Sequence, residues 1–177
     1  GQLVWRDRDE RMDEIQDSLP MRDWLLYTSK FSALVLSIFA ILSTTIAVGM
    51  AVQAYRGYTR FQFGLYAEEI LFRDFTLMVM LAVAAFLCHV LSPNKYIGYF
   101  SFIAFLIFDA FGWNALDVAT RMVNFASRPS IPYSDLYHFR PDSPGWQWFS
   151  VYWGLFCLML ATASIVFYRR GKETSWA

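Results

Sequence analysis

The sequence has few of the residues on which most enzyme active sites depend. Its 177 residues include two histidines, His89 and His138, and two cysteines, Cys88 and Cys157. The patterns HExxH, CxxC and GxSxG and the glycine-rich phosphate loop are all missing, which removes the usual signatures of a zinc site, a serine hydrolase and an ATP-binding loop. We therefore expect no metal, no cofactor and no catalysis by the chain itself.

An excess of charge of either sign is missing too. There are 15 Lys and Arg residues and 15 Asp and Glu residues, so the net charge is zero, and no nucleic-acid partner is expected. The chain is instead apolar, because hydrophobic residues make up 56% of it and aromatic residues 19%, with a mean hydropathy of +0.33. A soluble domain of this length does not need such a composition.

Four long apolar runs account for this composition. Residues 31–55 carry no charge, and runs at 75–94, 96–116 and 145–168 follow, the third broken only by Asp109. A bilayer core about 30 Å thick is crossed by about 20 helical residues. No alternating pattern of apolar and polar residues indicates a β-barrel. The sequence therefore predicts an all-α, polytopic membrane protein.

The predicted organisation has two parts, a cytoplasmic amphipathic helix with its approach to the membrane at 1–30 and a four-span membrane domain at 31–177. The spans are expected at about 31–55, 75–92, 96–115 and 146–168, and the outer loops at 56–74 and 116–145. The ends and the 91–95 turn together contain nine Lys and Arg residues, and the two other loops contain six. The positive-inside rule then places both ends in the cytoplasm.

Residues 1–19 have the pattern of an amphipathic helix. Its apolar residues recur at helical spacing, and they are Trp5, Met12, Ile15 and Leu19. Charged residues fill the remaining faces. Pro20 ends this helix, because proline lacks the backbone donor and clashes with the preceding turn. A second short helix at about 21–30 is expected to lead into the first span. Farther along, the sequence LSPNK at 91–95 predicts a tight turn and thus a hairpin of the second and third spans.

The two outer loops do not look like simple linkers. Residues 54–74 are rich in Tyr and Phe, as expected at a headgroup boundary. The second loop begins with a stretch that predicts an interfacial or re-entrant helix, because its apolar residues Leu116, Ala119, Met122, Val123 and Ala126 fit one helical face. Four prolines between 129 and 144 then predict a folded cap.

Three polar residues inside the apolar runs are candidates for a transport pathway. Asp109 is an intramembrane carboxylate, which by default suggests a functional site. The structural alternative is that Asp109 reaches interfacial water or Trp113, since it lies about 20 Å along the third helix. Thr44 and Thr45 in the first span fit either a polar pathway wall or helix packing, for which hydroxylated residues are common.

The N-terminal pattern resembles the permeases of type-2 ATP-binding-cassette transporters. In that family an acidic amphipathic helix, a Leu-Pro pair and a lysine at the membrane edge form the coupling helix that docks on the ATPase. The matching residues here are Glu14, Leu19, Pro20 and Lys30, with Asp17 and Ser18 in the connecting turn. The resemblance implies that Met12, Ile15, Asp17, Leu19 and Pro20 contact an ATP-binding-cassette ATPase subunit.

A narrower resemblance covers nearly the whole chain. GQLVWRDRDERMDEIQDSLP at the start, NKYIGYF at 94–100 and PYSDLYHF at 132–139 resemble large bacterial inner-membrane proteins that fuse such permease domains to a C-terminal zinc aminopeptidase. This resemblance implies an exporter whose first two permease spans precede the sequence, paired with a second permease domain from the same chain or a homodimer. The alternative is a membrane anchor for a fused or associated aminopeptidase, without transport.

Overall fold

The computed structural model describes residues 2–9, 22–58, 61–118, 120–130 and 144–168, and these ranges contain helices and turns but no strand. The five helices are α1 (Gln2–Asp9), α2 (Asp23–Tyr55), α3 (Phe63–Leu91), α4 (Lys95–Ala115) and α5 (Pro144–Phe167). Helices α2 to α5 are each long and apolar enough to cross a membrane. The prediction of an all-α fold with four candidate spans is therefore confirmed.

Helix α2 begins well before the apolar run that it contains. It extends without a break from Asp23 to Tyr55, so the short helix expected at about 21–30 and the first span are one element. Hydroxyl groups at its polar start bond to the helix itself: Thr28 Oγ1 donates to Trp24 O at 2.8 Å and Ser29 Oγ donates to Leu26 O at 2.9 Å. Both hydroxyl donors are therefore satisfied within the helix itself.

Helix α3 also begins earlier than expected, at Phe63, so 63–74 is helical although the sequence predicts a loop for the whole of 56–74. The part from Ala67 to Asp74 is π-helical. Its charged residues are accommodated along one helix face, where Arg73 Nη1 lies 3.1 Å from Glu69 Oε2, a spacing at which opposite charges stabilise a helix. The loop between α2 and α3 is thereby shortened.

The helix predicted after Leu116 does not form. Residues 116–118 and 120–130 are turns and irregular backbone, and two non-glycine residues, Asp117 and Ala126, have left-handed φ values of 54° and 56°. A left-handed residue cannot continue a right-handed helix. We call residues 120–130 the turn segment. Residues 131–143, with His138 and most of the predicted cap, lie outside the described residues.

The predicted turn between the second and third spans is present, and α3 and α4 pack closely beside it. Asn94 caps α4, since its side chain accepts a hydrogen bond from Ile97 N at 3.0 Å. His89 is 3% exposed, and its ring centroid lies 4.7 Å from that of Tyr99. A Cβ on Gly98 would lie only 2.2 Å from His89 Nδ1, so only glycine permits this approach.

The chain divides into two compact units. The first unit consists of Gln2–Ala82 with Tyr168–Ala177, and the second contains Val83–Phe167. None of the most apolar stretch of α2 is buried, compared with 6% for α4, 17% for α5 and 33% for α3. Large apolar side chains on α2 are accordingly exposed, among them Leu36 at 67% and Ile41 at 65%. Such surfaces are typical of helices in contact with lipid.

Candidate functional site

The residues expected to contact an ATPase, Met12, Ile15, Asp17, Leu19 and Pro20, lie outside the described residues. The preceding part of the amphipathic helix is described as α1, which contacts α2 within the first unit. Trp5, the first residue of the predicted apolar stripe, is 7% exposed. At least one residue of that stripe is therefore packed inside the protein.

An aromatic cluster surrounds the start of α2. We call Tyr27, Lys30, Phe31 and Tyr168 the base cluster. Tyr27 is 3% exposed, its ring stacks on Phe31 with centroids 6.2 Å apart, and the edge of Tyr168 packs against it at 6.1 Å. Lys30 Nζ donates a hydrogen bond to Tyr168 Oη at 3.0 Å and lies 5.8 Å from the centroid of that ring. Lys30 thus ties the base of α2 to Tyr168.

Thr44 and Thr45 satisfy their hydroxyl groups within α2. Thr44 Oγ1 donates to Ala40 O at 2.8 Å, and Thr45 Oγ1 donates to Ile41 O at 3.0 Å. The same residues with Val48 line a depression of about 440 Å³ on α2. The hydroxyl donors are already occupied, so the depression presents mostly apolar groups to whatever lies beside it.

Asp109 lies in the π-helical segment Phe108–Gly112 and accepts two hydrogen bonds through one carboxylate oxygen. Trp113 Nε1 donates to Asp109 Oδ1 at 3.2 Å, and the backbone N–H of Phe125 donates to the same oxygen at 2.7 Å. The contact with Trp113 agrees with the structural alternative expected from the sequence. The contact with Phe125 joins α4 to the turn segment, and no local spacing predicts it.

Phe125 enters a cage of aromatic side chains. It is 9% exposed, and its ring centroid lies 5.4 Å from Phe105 on α4 and 5.3 Å and 6.2 Å from Trp153 and Phe156 on α5. Phe105 is ten residues from the start of α4, about 15 Å along a helix that is about 30 Å long. The ring of Phe125 therefore lies beside a residue near the middle of α4.

The turn segment is also bonded to α5. Trp153, which is 3% exposed, donates from Nε1 to Ser127 O at 3.1 Å, and Tyr152 Oη lies 3.4 Å from Met122 O, to which it donates. Backbone that is not helical persists at membrane depth only when protein groups or a water-filled cavity satisfy it. Here one N–H and two carbonyl groups of the turn segment are satisfied by side chains of the neighbouring helices.

The three predicted pathway residues fall in different units, Thr44 and Thr45 in the first and Asp109 in the second. Within the described ranges, no group of three or more His, Cys, Asp and Glu side chains is arranged to hold a metal ion. The residues that sequence reasoning missed are Phe125, which bonds to Asp109, Tyr168, which bonds to Lys30, and the bonded pair of Ser127 and Trp153. No protein-family model, curated protein or solved structure matches this chain.

Proposed function

We propose that the chain is part of the permease domain of an ATP-driven transporter, in which a separate ATP-binding-cassette ATPase drives movement of the membrane helices. In this proposal the protein is an exporter of a bacterial inner membrane, with both ends in the cytoplasm. The N-terminal amphipathic helix is the coupling helix, and its residues Met12, Ile15, Asp17, Leu19 and Pro20 meet the ATPase.

The observation that carries the proposal is the continuity of α2. Its 33 residues run from Asp23 to Tyr55 without a break, which corresponds to about 50 Å of helix. An unbroken helix transmits a displacement from one end to the other, whereas a flexible link between approach and span absorbs it. A passive anchor has no need for a stiff element that begins before the apolar run.

The base cluster supports the same role. Lys30 and Tyr27 both contact Tyr168, and α1 packs on α2 in the same unit. The packing of α1 and the bond of Lys30 therefore both support the base of α2, where the proposed lever begins. The lysine that matches the family pattern is the residue that makes the polar contact in this cluster.

The charge of the N-terminal region favours a protein partner over a lipid surface. Residues 1–23 contain seven acidic residues and four basic ones. Anionic lipid of the cytoplasmic leaflet repels such a helix, whereas a cleft with complementary charge on an ATPase attracts it. A complete pathway also needs a second permease domain, supplied by the same protein or by a homodimer.

The test is co-purification from the native host. The full-length protein is purified in mild detergent and the bound proteins are identified by mass spectrometry, for the wild type, Leu19→Asp and the conservative control Leu19→Met. A P-loop ATPase is expected with the wild type and with Leu19→Met and not with Leu19→Asp, because a buried carboxylate opposes docking in an apolar cleft.

The alternative function, an anchor for an aminopeptidase, makes the opposite prediction. If no ATPase accompanies any variant, or if Leu19→Asp retains it in full, the coupling proposal is wrong. The anchor hypothesis then takes its place.

A further inference from the structure

Side chains of two helices bond to the backbone of the turn segment, α5 through hydrogen-bond donors and α4 through an acceptor. On the α5 side, Tyr152 and Trp153 donate to carbonyl oxygens of the segment, Met122 O and Ser127 O. On the α4 side, the carboxylate of Asp109 accepts from the Phe125 N–H at 2.7 Å. Asp109 thus supplies the hydrogen bond on the α4 side, where the ring of Phe105 also packs against that of Phe125.

The backbone around Phe125 needs this acceptor. Ala126, the next residue, is 3% exposed and has a φ of 56°, a conformation that is unfavourable for a residue with a Cβ and is kept only when its surroundings impose it. Phe125 has its ring in the aromatic cage and its N–H on Asp109. Loss of the acceptor leaves the Phe125 N–H unpaired beside a strained residue. Movement of the segment away from α4 then lowers the free energy, because the N–H can find another partner and the strain can relax.

We propose that Asp109 is a positioning residue that latches the turn segment to α4, and that release of this latch opens the outer end of the transport pathway. Its carboxylate acts as a hydrogen-bond acceptor for Phe125 N–H and Trp113 Nε1–H, and it does not contact the cargo. The latch follows from the geometry of the second unit alone. The role of its release in transport rests on the function proposed above.

The latch is tested by the accessibility of a cysteine placed in the segment. Ala126→Cys is introduced into the full-length protein, with Cys88 and Cys157 replaced by Ala, and is labelled in nanodiscs with a membrane-impermeant maleimide. Labelling is expected to be slow with Asp109 present, because position 126 is buried. It is expected to be about tenfold faster or more with Asp109→Leu, since a hydrogen bond to a charged group is lost.

Asp109→Asn is the matched variant that separates hydrogen bonding from charge, because asparagine keeps an acceptor oxygen. It is expected to stay close to the slow rate of the parent. A rate for Asp109→Asn as fast as that for Asp109→Leu overturns the acceptor role. Equal, slow rates for Asp109→Leu and the parent overturn the latch.

A second cysteine detects general unfolding. Ser164 on α5 is fully buried, with 0% exposure, so Ser164→Cys should remain unlabelled in every Asp109 variant. Labelling at both 126 and 164 in Asp109→Leu means that the unit has unfolded, and this outcome overturns a local latch.

The role in gating is tested separately, on the complex with its bound and hydrolysing ATPase. ATP is expected to raise the labelling rate of Ala126→Cys in the protein with Asp109 present. An unchanged rate during hydrolysis overturns the gating role. Because the labelling of the Asp109 variants needs no ATPase, failure of the latch and failure of the proposed function give different results.

Discussion

The candidate pathway residues of the first unit bond within their own helix, whereas Asp109 in the second unit also bonds to another segment. On α2, the hydroxyls of Thr44 and Thr45 bond to carbonyls one turn earlier. On α4, Asp109 takes donors from Trp113 and from a segment 16 residues away. A hydroxyl that bonds its own helix places no demand on its neighbours, but a carboxylate with distant donors fixes two segments together.

The burial of side chains also differs between α2 and the second unit. The most apolar stretch of α2 has no buried residue, whereas the second unit contains the buried side chains Phe125, Trp153 and Cys157. In lipid, association of helices depends on close packing and hydrogen bonds rather than on apolar character. This stretch of α2 is therefore little packed within the protein, whereas the second unit has a packed aromatic core.

The largest effect is expected at the centre of the second unit. Trp153→Ala removes an indole from the aromatic cage and leaves Ser127 O unpaired, so the free energy of unfolding should fall by about 2–4 kcal/mol. Leu155→Ala on the same helix, where the side chain is 63% exposed, is the control and should change it by less than about 1 kcal/mol. Denaturant unfolding in detergent, followed by circular dichroism, measures both. Equal losses would show that α5 is packed evenly around its circumference.

A smaller difference is expected between two glycines, one in each unit. Gly98→Ala puts a Cβ against His89 Nδ1, 2.2 Å away before any movement, and should lower the free energy of unfolding by about 1–3 kcal/mol through overpacking. A Cβ added at Gly49 on α2 would meet no atom within 4 Å, so Gly49→Ala should be neutral or slightly stabilising, by up to about 1 kcal/mol. The same unfolding assay measures both variants. A stabilising effect of Gly98→Ala would contradict the close approach of α3 and α4.

The number and type of the long helices could be predicted because they depend on length and apolar character alone. The turn before α4 could be predicted for a local reason, since LSPNK contains a proline and an N-capping asparagine. The pair Asp109 and Trp113 is also local, because residues four apart share a helix face. Each of these local features depends only on residues that lie within a few positions of one another in the sequence.

The remaining features depend on contacts between distant residues. Leu116, Met122 and Ala126 fit one face of a helix, but the structure has two left-handed residues there and directs Phe125 N–H to Asp109. The partnership of Lys30 and Tyr168 likewise joins residues 138 positions apart. A signal was available in one case, because a carboxylate inside an apolar run needs donors and a proline-rich loop has N–H groups that no helix satisfies.

Hydrogen–deuterium exchange of the complex with its ATPase tests most directly whether α2 acts as a rigid lever. Thr28 and Ser29 are exposed and bond only to their own helix, so replacing both with Gly weakens the helix by about 1 kcal/mol each relative to replacing both with Ala. ATP should change exchange at Tyr55 and the residues after it in the Ala pair but not in the Gly pair, with the ATPase bound in both. The same response to ATP in both pairs would contradict the lever.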